Sequence, residues 1–396
     1  MMRRTNLNVS TAPTILSDVP GSFAWAVFHE RHPKLVRQVL AALPYGPAER
    51  AAVERLLAES TGGVLEPLSE SAHDHRQWRE WGAGLFGRPW GEAPFLWAES
   101  YFYRRLLEAT GYFRPGTWQG IDPFAPFKDA ELAGPAVDDE LAALRDLPSL
   151  SFERRAEVLL SSALWGNRAD LGFQITASAG DVRPSALIAD DSALLWSTLA
   201  AASNPTVCVI ADNAGRELLP DLVLIDHLLT SGLASEVVLY VKPSPYYVSD
   251  ATTADVLATV ERFRTSPERE AELIGRRLRR AMGAGTLAVR THRFFCAPLP
   301  FHDLPADLGA ELSGAAMTIL KGDLNYRRLV GDRLWDATTS FAERVGYFPS
   351  SVAALRTVKS DVVVGLDGPV LARLDATGEP WRTSGTYGLV QVHARV

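Results

Sequence analysis

Oxygen-bearing and basic side chains recur at one kind of place in this chain, directly after short, unbroken apolar runs. After TVCVIA come Asp212 and Asn213, followed by Gly215, which can relieve a tight turn, and by a helical stretch whose free N–H groups point back to the same spot. A carboxylate beside an amide carbonyl is a hard oxygen pair suited to Mg²⁺ or Mn²⁺. After VVLYVK, the loop PSPYYVSD ends on Asp250, which together with Asp212 and Asn213 would complete an oxygen face and leave the remaining positions to water and a phosphate oxygen. After MTILK, Lys321, Asp323, Asn325 and Arg327 crowd a strand-to-helix junction where Gly322 lets the backbone approach a ligand, the makings of an oxyanion clamp. Arg356 and Lys359 follow a further apolar run, and Asn167 and Asp170 in WGNRAD either position such a site or cap a turn.

Each of these has a plainer reading, because Asp and Asn are favoured helix caps and Lys and Arg are common surface charges. Taken singly, Asp212–Asn213 and Asp250 read as caps. Their repetition at the ends of several buried runs shifts the balance, since open α/β sheets collect functional residues where strands give way to loops.

The elements that must position them change character along the chain. Residues 1–150 read as a mostly helical N-terminal region: HPKLVRQVLAAL and ERAAVERLLAES carry apolar residues at three- and four-residue spacing, with Gly46 and Gly62 as turns. Trp78, Trp81, Trp90, Trp97, Tyr101 and Tyr103 read as a helix-packing core rather than a ligand platform. A Pro/Gly-rich connector, residues 111–148, wraps over the surface and, being long for a loop, is expected either to pack as a cover or to contain a short helix near Phe127–Leu132. A helix opened by Ser151 then leads into residues 151–396, where Val/Ile/Leu runs alternate with helical stretches: TVCVIA, VVLYVK, TLAVR, MTILK, VAALR and DVVVGL, then TYGLVQVHA as a last strand, placed antiparallel at an edge. GAGT before TLAVR reads as a turn. The fold class predicted is α/β, a three-layer α/β/α core with a mostly parallel sheet plus the N-terminal helical region.

Composition narrows the function classes. A net charge of -7 argues against a nucleic-acid or anionic-membrane binder. Two cysteines exclude a disulfide framework and a four-cysteine zinc site, and fit a reducing, cytoplasmic setting. MMRRTNLNVS has no apolar run behind its arginines, so a signal peptide is not expected, nor is a membrane span or an obligate protein partner.

In order along the chain stand AESYFYRRL, LWGNRADL, ADNAGRELLPDLVLIDHLL, LKGDLNYRRL and RTVK. In these passages the sequence resembles the DUF89 family of metal-dependent damage-control phosphatases, and within it the subfamily with an RTxK signature, which RTVK at Arg356–Lys359 matches. The resemblance implies that Asp212, Asn213 and Asp250 bind a divalent metal, Mn²⁺ first, with Co²⁺, Ni²⁺ or Mg²⁺ as alternatives, and that Asp212 and Asp250 take part in catalysis. It implies that Asp323, Leu324, Asn325, Tyr326, Arg327 and Lys359 bind substrate, joined by Glu99 and by Asn167. The implied substrates are small sugar phosphates such as fructose 1-phosphate, removed as damaging metabolites. Two alternatives stand beside this expectation. One is an S-adenosylmethionine-dependent protein-glutamate O-methyltransferase, a function also attached to the subfamily. The other is a sugar-phosphate-binding module without turnover.

Overall fold

A computed structural model describes residues 12–166 and 186–395. One seven-stranded sheet runs in the order β1-β7-β6-β5-β2-β3-β4, built from β1 Leu187–Asp190, β2 Thr206–Ile210, β3 Glu236–Val241, β4 Leu287–Thr291, β5 Met317–Lys321, β6 Val352–Thr357 and β7 Gly388–His393. Every neighbouring pair is parallel except β6 with β7.

The central strands are continuous apolar runs because neither face meets water: β5 and β6 are buried along their whole length, and β2 and β3 in all but their first residue. Side chains alternate between the two faces. Val207 and Val209 join a core formed with the helices Phe152–Trp165, Ser192–Ala201, Leu218–Thr230, Thr253–Arg264 and Arg269–Ala284, whereas Cys208 and Ile210 join the opposite core. That second core packs against the N-terminal helices His32–Ala42, Pro47–Gly62 and Phe95–Thr110, and against Ala306–Ser313 and Gly322–Val330. The result is the expected three-layer α/β/α arrangement with a mostly parallel sheet and an N-terminal helical region.

Strand order decides where a ligand can enter. From β2 the chain proceeds outward through β3 to β4, using helices on one face; it then returns by Ala306–Ser313 on the other face to place β5 on the far side of β2. The order therefore reverses at the β2/β5 border, and in open α/β sheets the crevice outside the strand carboxyl ends at such a point is the ligand site.

Two expectations need correction. β7 is antiparallel to β6 but lies inside the sheet; the edge on its side is β1, a four-residue strand with only Ile188 buried, which the apolar pattern does not reveal. DVVVGL is not a strand. Val362, Val363 and Val364 are buried, yet their stretch forms an extended loop whose Val362 and Val364 carbonyls accept from the side chains of Arg356 and Gln391 rather than from a neighbouring strand.

Other expectations hold. Ser151 caps Phe152–Trp165 by accepting from Arg154 N at 3.2 Å. The connector contains Ala125–Leu132, tied down where Lys128 bridges Asp122 at 2.7 Å and Asp255 at 2.8 Å. Arg269–Ala284 takes in Gly283 and Ala284 and ends on a left-handed Gly285 just before β4, so of GAGT only Gly285 and Thr286 form a turn. Trp78, Trp90, Trp97 and Tyr101 are buried against one another. Among the described residues, no helix is long and apolar enough to cross a membrane.

Candidate active site

Asp212 and Asn213 leave β2 well before the next helix begins at Leu218, and that helix has no side-chain cap. The helix after β3 is capped by Thr252 and Asp255 in a reciprocal capping box. Neither Asp212, Asn213 nor Asp250 is therefore a cap, and the plainer reading of all three falls away.

The loops that carry them are stitched together. Ala251 N donates to Asp212 O at 2.9 Å and Ala214 N to Ser249 O at 2.6 Å, while Asn213 and Asp250 pair in an antiparallel bridge. Asp250 is 2% exposed and its Oδ2 accepts from Tyr247 N at 2.8 Å. The Asn213 amide is held from both ends: Ser249 Oγ donates to its Oδ1 at 2.7 Å, and its Nδ2 donates to Glu217 Oε2 at 2.9 Å and to Asp212 Oδ2 at 3.3 Å. Burial, with Glu217 and Asp250 close by, pushes the Asp212 carboxyl well above the usual carboxylate range, against the pull of Lys242 and Lys359. Burial likewise raises Asp250, opposed first by Lys242.

From the other side β5 brings Gly322, whose φ of +83 and missing side chain let Asp212 sit against it; a Cβ there would collide with Asp212 Oδ2. Asp323 comes next, gripped by Arg356 Nε at 2.8 Å and by Ser360 Oγ at 3.1 Å. Burial works to raise its carboxyl, but Arg356 and Arg327 outweigh that and hold it below the ordinary range. Asn325, fully buried, donates to Ala211 O at 3.1 Å and Lys321 O at 2.8 Å, so it ties the end of β2 to the end of β5. Among the described residues its Oδ1 has no partner. Lys359 is 43% exposed, with Nζ 3.9 Å from Glu217 Oε1.

A further layer comes from the helix Phe95–Thr110. Glu99 meets Arg327 Nη1 at 3.2 Å and the Tyr247 hydroxyl at 3.4 Å; Arg327 also grips Asp332 through Nε at 2.7 Å and Nη2 at 3.1 Å. Burial raises the Glu99 carboxyl, with Arg327 opposing. Tyr103 stacks on Tyr247 at 4.6 Å, and Glu99 and Tyr103 line a cleft of about 360 Å³ with Arg31, Lys34 and Val248.

The structure thus gathers Asp212, Asn213 and Asp250, with Asp323, Asn325 and Lys359 arriving from β5 and β6. Leu324 and Tyr326 are turned into packing instead: Leu324 against Leu96 and Tyr246, Tyr326 beneath the Arg356 guanidinium with its hydroxyl donating to Gln391 Oε1 at 2.9 Å. Asn167 and Asp170 lie outside the described residues. Two residues at this centre escape sequence reasoning, Glu217 and Lys242. Glu217 resembles any acid just ahead of a helix, and the only signal for Lys242 is a lysine closing the buried run VVLYVK.

A doubly covered α/β sheet with acidic and amide side chains clustered at its switch point defines the class, a small-molecule α/β protein with a strand-end site. The sequence model of the damage-control phosphatase ARMT1-like domain matches residues 27–374. Among curated relatives, "Damage-control phosphatase ARMT1" of Danio rerio is 30% identical, covering 94% of this chain and 94% of that protein, and the Rattus norvegicus protein of the same name is 31% identical, covering 97% and 99%. A DUF89 family protein of Pyrococcus horikoshii, solved by crystallography, aligns at 16% identity with a TM-score of 0.48 over 89% of this chain and 94% of that one. The chain belongs to the ARMT1-like damage-control phosphatase family.

Proposed function

We propose that this protein is a divalent-metal-dependent phosphatase that hydrolyses small sugar phosphates, fructose 1-phosphate among them, as a form of metabolite damage control. The observation that carries the reading is the convergence of Asp212, Asn213 and Asp250 on the carboxyl edge of β2 and β3, with Lys359 beside them.

The donor set fits a hard divalent cation. Among the described residues no three His, Cys, Asp or Glu side chains form a metal-holding group, so a cation here would rest on the Asp212 and Asp250 carboxylates, the Asn213 amide oxygen and water. Buried carboxyls lifted above their ordinary range are short of positive charge, which supports the fit. Mn²⁺ is the first candidate, with Co²⁺, Ni²⁺ and Mg²⁺ as alternatives. Bound there, the ion would supply Lewis-acid polarisation of a phosphoryl oxygen and a more acidic water.

The protein's own groups do the rest. Lys359, half exposed at the rim, can meet a phosphate entering from solvent. Asp323, kept ionised by Arg356, is a fixed acceptor for sugar hydroxyls, and Asn325 offers an unpartnered Oδ1. Glu99 and Tyr103 line the adjoining cleft, which has room for a small metabolite.

Phosphate release from a panel of sugar phosphates, measured with metal-free protein and each of Mn²⁺, Co²⁺, Ni²⁺ and Mg²⁺ added separately, tests the reading. Metal-dependent release that Asp212→Ala abolishes is expected. Metal binding without release from any substrate would sink the phosphatase reading in favour of a binding module.

A further inference from the structure

We infer that Lys242 is a phosphate-binding group of this centre, approaching the anion from the carboxyl end of β3; the inference rests on the phosphatase reading above. Lys242 directly follows the last residue of β3 and is held in place by its backbone N–H donating to Ala251 O at 2.9 Å, beside the Asp250 loop. The side chain is 2% exposed, and among the described residues its Nζ has no hydrogen-bond partner. It stands 5.7 Å from the centre of the Tyr246 ring and acts electrostatically on both Asp212 and Asp250.

An ammonium removed from water needs anions or acceptors in its place. The other buried cations around the site already have theirs. Arg327 is engaged by Glu99 and Asp332, Arg356 by Asp323 and Val362 O, Lys321 by Asp221 and Ala163 O, and Arg328 by the carbonyls of Phe294 and Leu299. Lys242 keeps its donors open in the midst of the acidic centre. The carboxylates it acts on are the proposed metal ligands, and Asp250 Oδ2 is already taken by Tyr247 N. Once a divalent cation neutralises those carboxylates, Lys242 is left facing like charge, and the species that satisfies both cations is a phosphate. Lysine suits that task as a compact point charge.

The test titrates inorganic phosphate into Mn²⁺-loaded protein by calorimetry, for wild type, K242M and K242R, with Mn²⁺ affinity measured separately for each. We expect K242M to bind phosphate at least tenfold more weakly with Mn²⁺ affinity unchanged or tighter, and K242R to retain an intermediate affinity. Phosphate affinity in K242M equal to wild type overturns the inference, as does a parallel loss of Mn²⁺ affinity, which would make the lysine a prop for the carboxylates. Should K242M not fold, lysine-selective ¹⁵N labelling of wild type, with the Lys242 signal assigned through K242R, gives a second reading. A phosphate-induced shift of that signal supports the assignment, and an unmoved signal at saturating phosphate overturns it. Wild type that binds Mn²⁺ but no phosphate overturns the phosphatase reading itself, whereas phosphate binding by wild type and K242M alike removes only the lysine.

Discussion

Asn213 and Asp250 pair across an antiparallel bridge even though β2 and β3, which deliver them, run parallel. The loop after β3 doubles back over the end of β2, and the hydrogen bonds of Ala214 and Ala251 lock it there. Two side chains separated by a whole helix and strand are thereby held at the spacing of neighbours, an arrangement that limits how far the acidic centre can relax.

Because that centre is preformed, a divalent cation should stabilise the folded protein. Saturating Mn²⁺ at about one hundred times its Kd should add about 2.7 kcal/mol to unfolding. Asp250→Asn preserves an oxygen for Tyr247 N but removes the charge, so its thermal midpoint should be nearly indifferent to Mn²⁺. A midpoint shift equal to wild type would show that Asp250 is not a ligand.

Gly322→Ala should damage the centre more than the fold. The left-handed φ costs alanine about 1–2 kcal/mol, and the new methyl group would collide with Asp212 Oδ2. Phosphatase activity is expected to fall at least a hundredfold while circular dichroism stays native; near-normal activity would mean that Asp212 can move without consequence.

Arg356 is fully buried and joins Asp323, Ser360 and Val362 while lying 4.3 Å over the Tyr326 ring. Arg356→Met strands the Asp323 carboxylate and should cost about 3–5 kcal/mol in denaturant unfolding. Arg356→Lys should recover only part of this, because an ammonium cannot supply the same planar fork. Full recovery by lysine would show that charge alone suffices.

His32 is buried, stacks on Phe102 at 3.7 Å, and among the described residues has neither ring nitrogen hydrogen-bonded. Burial, reinforced by Arg31, lowers its pKa to about 3. The folded value lies below the unfolded one near 6.5, so the unfolded chain takes up the proton first; the contribution is complete above pH 6.5 and drains away as pH falls toward 3. By pH 4.5 on the order of 2–3 kcal/mol should be lost from this group alone. His32→Phe should flatten that part of the stability profile, and identical profiles for the two proteins between pH 7 and 4.5 would refute the assignment.

The sequence alone determined the class of fold and the strand ends at which the candidate residues stand. Parallel strands covered on both faces must be unbroken apolar runs, which made β2, β3, β5 and β6 legible, and residues that close such runs must lie at the carboxyl edge, which singled out Asp212, Asp250, Asp323 and Lys359. The same rule misread Val362–Val364, where side chains of Arg356 and Gln391 serve the backbone that a strand neighbour would otherwise serve, and it passed over β1, too short and too exposed to stand out. Only the tertiary structure decided which strand ends meet, that Arg327 turns to Glu99 and Asp332, that Tyr326 supports Arg356, and that Lys242 is left with open donors. Those outcomes depend on strand order and on loops that fold back over their own strands. Local pattern sets burial and direction, but the partner of each charged group is fixed by contacts between segments far apart in the chain.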